Sequence, residues 1–199
     1  MGPMVRTVIT GTGSHIPARR VPNADFLNHE FLGPDQKPIP KANQEILAQF
    51  ESITGIRERR YVPDELVASD IAADAARKAL QSSGTDAESL DYIIVAHNFG
   101  DVRAGSTRSD LVPALAARVK AHLGIETPRT VAYDLIFGCP GWLQGVIQAD
   151  AMIRAGDVLP PPGSAVYYLV SGVTAGVEGS LGPGPDGGDR PNAYPCPSP

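Results

Sequence analysis

The chain has 199 residues, enough for one sizeable domain or half of a larger one, with a formal net charge of −5 and a pI near 5.3. No basic cluster exceeds Arg57, Arg59 and Arg60, which argues against a nucleic-acid surface, and no apolar run reaches membrane-spanning length. Two cysteines are too few for a disulfide framework, and no charged-then-apolar leader opens the sequence, so the composition reads as a soluble protein of a reducing, cytoplasmic compartment.

Val5 to Thr10 reads as a short buried strand, and Gly11-Thr12-Gly13 as the turn that stops it. A phosphate-loop reading of those glycines fails because Ile16 stands where a third glycine is needed. Asn23 is placed to cap a helix from Ala24, with Phe26, Leu27 and Phe31 as its apolar contacts. After Pro34, Pro38 and Pro40, a helix is predicted from Ala42 to about Ile53, with Ile46, Leu47, Phe50 and Ile53 at helical spacing and Gly55 ending it. Ser69 is expected to cap a helix from Asp70 to Ser82, closed by Gly84, whose Ile71, Ala75, Ala79 and Leu80 form the buried stripe.

Tyr92 to Ala96 is a continuous apolar run of the kind found in strands covered on both faces. A helix is predicted from Leu111 to Leu123 with Pro113 in its first turn, then a strand from Thr130 to Leu135. The segment from Pro140 to Ala155 is apolar over most of a helical circumference (Trp142, Leu143, Val146, Ile147, Ala149, Met152, Ile153). That pattern predicts a buried helix, with Trp142 as packing and Cys139 in the interior. Ala165 to Val170 offers one more strand. From Gly179 to Pro199, eleven of 21 residues are Gly or Pro, a composition that predicts an irregular or disordered tail. Strands alternating with helices indicate an α/β domain with a mixed or parallel sheet covered by helices.

Cys139 is the residue that carries chemistry. It stands where an apolar, strand-like run meets a small-residue turn and then opens a helix, in Phe137-Gly138-Cys139-Pro140-Gly141-Trp142. The free N–H groups and positive dipole end of a helix favour thiolate over thiol at such a place, and flanking glycines permit close approach of a substrate. Taken alone, the same residue also fits a buried cysteine acting as a small hydrophobe. Cys196, in the Pro-rich tail, reads as inert.

In chain order, Ile9-Thr10-Gly11-Thr12-Gly13-Ser14-His15-Ile16-Pro17, Asn23-Ala24-Asp25-Phe26-Leu27, Thr54-Gly55-Ile56-Arg57-Glu58-Arg59-Arg60, Asp91-Tyr92-Ile93-Ile94-Val95-Ala96, Val112-Pro113-Ala114-Leu115-Ala116, Leu123-Gly124-Ile125 and Ala132-Tyr133-Asp134 through Trp142 resemble one family. It is the 3-oxoacyl-(acyl-carrier-protein) synthase III enzymes of the thiolase-like fold, and the match runs from about Val5 to Asp157. The resemblance implies the N-terminal half of that fold, a βαβαβ mixed sheet covered by helices, over residues 1–172, with residues 173–199 as a tail. It also implies an acyltransferase of fatty-acid or related biosynthesis. Cys139 would accept an acyl group from acyl-CoA as a thioester, and malonyl-acyl-carrier-protein would supply the carbanion for condensation. The backbone N–H of Cys139 would form half of an oxyanion hole. Acyl-CoA and acyl carrier protein are the implied partners, together with a second copy in a homodimer; no cofactor and no metal are implied.

Departures from the family's pattern accompany the match. The family's His and Asn motifs come from its second half, and none of His15, His29, His97 and His122 stands in them. His97 and Asn98 are adjacent at a strand end and point in different directions, so they are not given those two roles. Gln49 and Ile53 occupy the positions where members of the family place a Trp and an Arg on the CoA adenine. Arg57, Arg59 and Arg60 fit either an acyl-CoA phosphate or carrier-protein contact, or a solvated charge run paired with Glu58. The expectation is therefore a chain that acylates Cys139 without completing turnover, with a truncation or a reading-frame change near Asp157 to Gly172 as its source. Two alternatives stand beside it: a non-catalytic thiolase-like fragment that dimerises with or binds another subunit, and a thiolase or hydroxymethylglutaryl-CoA-synthase type of enzyme.

Overall fold

The computed structural model describes residues 7–158, which fall into two compact units, residues 16–63 and residues 7–15 with 64–158. The fold is mixed α/β, as the alternation of patterns predicts. The strand expected at Ala165 to Val170, the tail and Cys196 lie outside the described residues.

In the smaller unit, β1 (Arg19–Pro22) pairs antiparallel with β2 (Glu58–Tyr61), and α1 (Asn43–Thr54) runs between them in sequence. Ile46 and Leu47 bury the inner face of α1, and Gly55 closes it in the left-handed conformation. The helix expected after Asn23 is instead a four-residue 3₁₀ turn, Asn23–Phe26. Asn23 does not cap it. Its amide donates to the Ile56 carbonyl at 2.8 Å and accepts from Arg59 Nη1 at 2.7 Å, so the side chain ties the turn to the start of β2.

The larger unit is built on β3 (Tyr92–His97) and β4 (Val131–Ile136), paired in parallel from Tyr92↔Val131 to His97↔Ile136 and connected through α3 (Leu115–His122). Alternation sorts the strand residues into two faces. Ile93, Val95 and Ala132 pack with α3 and with α2 (Ala68–Ser83), in a core of Ala72, Ala73, Ala76, Leu115, Ala116 and Val119. Ile94, Ala96 and Leu135 face α4 (Gly141–Ala155) on the other side. The alanine-rich α2 lets its neighbours come close. Gly11 and Gly13 lie against its backbone, where a Cβ on Gly13 would be 2.2 Å from the Ala75 carbonyl oxygen. Gly11–Gly13 are therefore not a turn but chain laid along α2, with Gly13 in an isolated bridge; of the strand expected from Val5 to Thr10, Thr7 to Thr10 belong to no named strand and Val5 and Arg6 lie outside the described residues.

Two helix starts differ from expectation for one reason, a cap supplied from far along the chain. Helix α2 begins at Ala68, and Ser69 lies inside it rather than capping it. The Ser69 N–H and hydroxyl both donate to the buried Asp101 carboxylate, at 2.8 and 2.6 Å, while Asp70 accepts from the Val67 N–H at 2.9 Å. Ile71 is only half-buried, and Ala72 and Ala73 take its place in the buried stripe. Helix α3 begins at Leu115, not Leu111, and Pro113 precedes it. Its first N–H groups, of Leu115 and Ala116, donate to Asp134 on β4 at 2.7 and 2.8 Å.

Candidate functional site

Helix α4 seats the cysteine. Gly141 and Gly145, one turn apart, face the sheet: a Cβ on Gly141 would stand 3.1 Å from Ala96 Cβ, and one on Gly145 3.7 Å from Leu135 Cδ1. Without side chains at these two positions α4 lies low over the C-terminal ends of β3 and β4. Further along the helix, the Tyr133 hydroxyl donates to Gln148 Oε1 at 2.8 Å, and burial pushes the Tyr133 hydroxyl pKa upward, which keeps it a donor. The four-residue spacing of the glycines was readable in the sequence and is the signal that fixes the helix height.

Between β4 and α4 the chain makes one tight turn. Gly138 adopts φ +63°, in the left-handed region, and the Gly141 N–H donates to the Gly138 carbonyl at 3.0 Å. Cys139 and Pro140 are the central residues of that turn, and the Gln144 N–H reaching the Pro140 carbonyl at 3.0 Å starts the helix. Cys139 therefore stands just outside the first turn of α4, at the strand-to-helix junction expected for it.

Its surroundings correct the expectation of burial. Cys139 is exposed, and so are Trp142 (41%), Leu143 (53%) and Ile147 (53%) on α4. An all-round apolar helix needs cover on every side; the described residues cover α4 along the face it turns to β3 and β4, around Ile153 and at Asp150, which bonds Thr7, and leave Trp142, Leu143 and Ile147 exposed. Trp142 is accordingly only partly packed.

The side chain of His97 points away from the turn, toward α3. Its Nε2 lies 3.0 Å from Asp134 Oδ2, and its Nδ1 accepts from the Gly100 N–H at 2.9 Å, which fixes the neutral tautomer with hydrogen on Nε2. Asn98, one residue on, is exposed, and its Oδ1 lies 3.9 Å from where a Gly138 Cβ would be. Adjacent strand-end residues do point in different directions. His15 pairs with Asp74 at 2.8 Å, and His122 lies 3.5 Å from Asp70.

In the other unit, Arg60 and Arg20 flank Glu58 at 3.4 and 3.5 Å, Arg57 meets Glu51 at 3.1 Å, and Arg59 sits over the Phe26 ring. Arg57 and Arg60 are thus paired with carboxylates, whereas Arg59 is held by Asn23 and Phe26. Gln49 and Ile53 are exposed on α1, beside an open depression lined by Ala48, Glu51, Ser52, Gly55 and Arg57. Among the described residues no group of three or more His, Cys, Asp or Glu side chains is arranged to hold a metal, and no helix is long and apolar enough to cross a membrane.

No protein-family profile matches the chain. Individual proteins do. A beta-ketoacyl-(acyl-carrier-protein) synthase III of Acidiphilium cryptum is 36% identical over 154 residues, covering 77% of this chain and 41% of that protein. The synthase III of Rhodospirillum rubrum is 34% identical over the same length, with the same shares of the two chains. Among solved structures, 3-oxoacyl-(acyl-carrier-protein) synthase III from Aquifex aeolicus superposes with a TM-score of 0.58 at 26% identity, over 76% of this chain and 41% of its own. The chain is thus a homologue of the thiolase-like acyltransferases and spans about two-fifths of the length of the relatives it matches.

Proposed function

We propose that this chain is the acyl-accepting part of a synthase III-like condensing enzyme, with Cys139 as its nucleophile. The observation that carries the reading is the exposed thiol at the β4–α4 turn of a synthase III homologue. In the first half-reaction the Cys139 sulfur attacks the thioester carbonyl of acyl-CoA, the tetrahedral oxyanion collapses, and CoA leaves as its thiol while the acyl group stays on sulfur. The backbone N–H of Cys139 takes no acceptor among the described residues, which suits it to donate to that oxyanion. In the second half-reaction malonyl-acyl-carrier-protein loses carbon dioxide, its α-carbon attacks the acyl-cysteine, and 3-oxoacyl-carrier-protein departs with the Cys139 thiol regenerated.

This chain performs the first half-reaction and not the second. Each of His15, His97 and His122 in its unit already sits against a carboxylate, so none is presented to an enolate at Cys139. The partners of the whole enzyme are acyl-CoA, acyl carrier protein and a second copy of the chain, in the cytoplasm. Incubation with a radiolabelled short acyl-CoA tests the reading. Label that is stable to denaturation, released by neutral hydroxylamine and absent in Cys139→Ala is expected, with no condensed product on adding malonyl-carrier-protein. Label retained in Cys139→Ala, or no label on the wild type, contradicts it.

A further inference from the structure

Beyond the sulfur itself, we propose that Asn98 is a catalytic residue of the acylation step, donating a side-chain N–H to the carbonyl oxygen of the acyl group being taken by Cys139; this rests on the reading of Cys139 as nucleophile.

Parallel pairing carries β3 and β4 side by side to His97↔Ile136, so the next residues, Asn98 on one strand and Phe137 and Gly138 on the other, leave the sheet together. Alternation sets His97 on the α3 face with Val95, and Asn98 on the α4 face with Ile94 and Ala96. Asn98 therefore stands on the side of the sheet from which the Cys139 turn rises. Its amide oxygen lies 3.9 Å from the position a Gly138 Cβ would take, in direct reach of the residue before the cysteine. Gly138 has no side chain to fill that space.

Asn98 is also held and uncommitted. Asp134, anchored by the N–H groups of Leu115 and Ala116, grips His97 Nε2, and His97 Nδ1 accepts the Gly100 N–H. Residues 98 and 99 are thus pinned on both sides by a chain of bonds that runs back to α3. Within this pinned turn the Asn98 amide makes no hydrogen bond to any described residue. An amide carries two N–H donors, and rotation about its last side-chain bond exchanges donor and acceptor ends, so Nδ2 reaches the place Oδ1 now holds. As negative charge develops on the acyl oxygen, that donor and the Cys139 backbone N–H would share it. Asn98 takes no proton and forms no covalent bond in the step.

The test separates attack on a carbonyl from attack on a saturated carbon. The full chain is treated with p-nitrophenyl acetate, which acylates the thiol through an oxyanion, and with iodoacetamide, which alkylates it without one. In Asn98→Ala, acylation of Cys139 should slow roughly 10- to 100-fold, less than a fully buried donor would cost because this one is open to water, while alkylation is unchanged. Asn98→Asp, of the same shape but without the donor, should behave alike, and Asn98→Gln should recover part of the rate. Acylation unchanged in Asn98→Ala, or acylation and alkylation falling together, overturns the assignment and leaves the acyl-CoA reading standing. A wild type that takes acetyl from p-nitrophenyl acetate but never from acyl-CoA overturns that reading instead, with Asn98 still judged by the rate ratio. Inertness to both overturns both.

Discussion

Asp101 is 3% exposed and takes hydrogen bonds from the Ser69 N–H and hydroxyl and from Arg118 Nη1, at 2.8, 2.6 and 2.8 Å. Arg118 in turn reaches Asp110 at 2.8 Å, so a guanidinium holds both sides of the bridge Asp101↔Asp110. Removing the cation leaves a buried carboxylate without its counter-charge, which is far more costly than losing a surface pair. Arg118→Met is expected to lower unfolding free energy by about 3 kcal/mol or more in urea titrations; a change under about 0.5 kcal/mol, the size of an ordinary surface substitution, would show the pair to be incidental. Gly13→Ala should cost about 1–3 kcal/mol by the same measurement, since its methyl meets the Ala75 carbonyl oxygen at 2.2 Å and backbone must move. Neither contact is visible in local sequence: Ser69 and Asp101 are 32 residues apart, and a glycine that serves a helix sixty residues later looks like any turn glycine.

At the scale of elements, the chain places its long helices by pattern and the starts of two of them by distant partners. The periodicity of α1, the alanine stripe of α2 and the apolar runs of β3 and β4 were legible because each is a local consequence of side-chain spacing. The starts of α2 and α3 were not, because Asp101 and Asp134 do the work that Ser69 and Pro113 seemed to announce. The strand-to-helix turn at Cys139 was legible too. Its exposure was not, because an apolar helix surface says that cover is needed without saying where the covering residues are. The loop after α3 is fastened in a way that titrates. The N–H groups of Glu126 and Thr127 donate to the Glu88 carboxylate at 2.7 and 3.0 Å and hold its pKa below the usual range. Asp110, through its bond from Arg118, is lowered in the same way. A carboxylate whose folded pKa is depressed stabilises the fold above its unfolded value, about 4, and the contribution fades as pH falls through the folded value. Glu88→Gln should therefore be less stable than the wild type at pH 7, and the gap should narrow as pH falls below about 4. A gap that stays constant across that range would show that charge on Glu88 is not what fastens the loop.

For the molecule as a whole, apolar surface and nucleophile occur together. Ile136, Phe137, Trp142, Leu143 and Ile147 are all exposed within the β4–α4 segment that also presents Cys139. Surface of this kind favours association, so the chain is expected to elute from size-exclusion columns as oligomer or aggregate and to bind a hydrophobic dye, and Leu143→Lys should shift it toward smaller species. A sharp monomer peak without dye binding would contradict this. Trp142, the only tryptophan, reports on the same place: its emission should be readily quenched by acrylamide in any dispersed fraction. Because the chain spans about two-fifths of its synthase III relatives, the claim that matters most is that this portion retains the first chemical step. Intact-protein and peptide mass spectrometry after incubation with acyl-CoA tests it most directly. The account predicts a mass increase of one acyl group, confined to the peptide containing Cys139 and reversed by hydroxylamine. An unmodified Cys139 alongside a reactive, alkylatable thiol at the same position would contradict it.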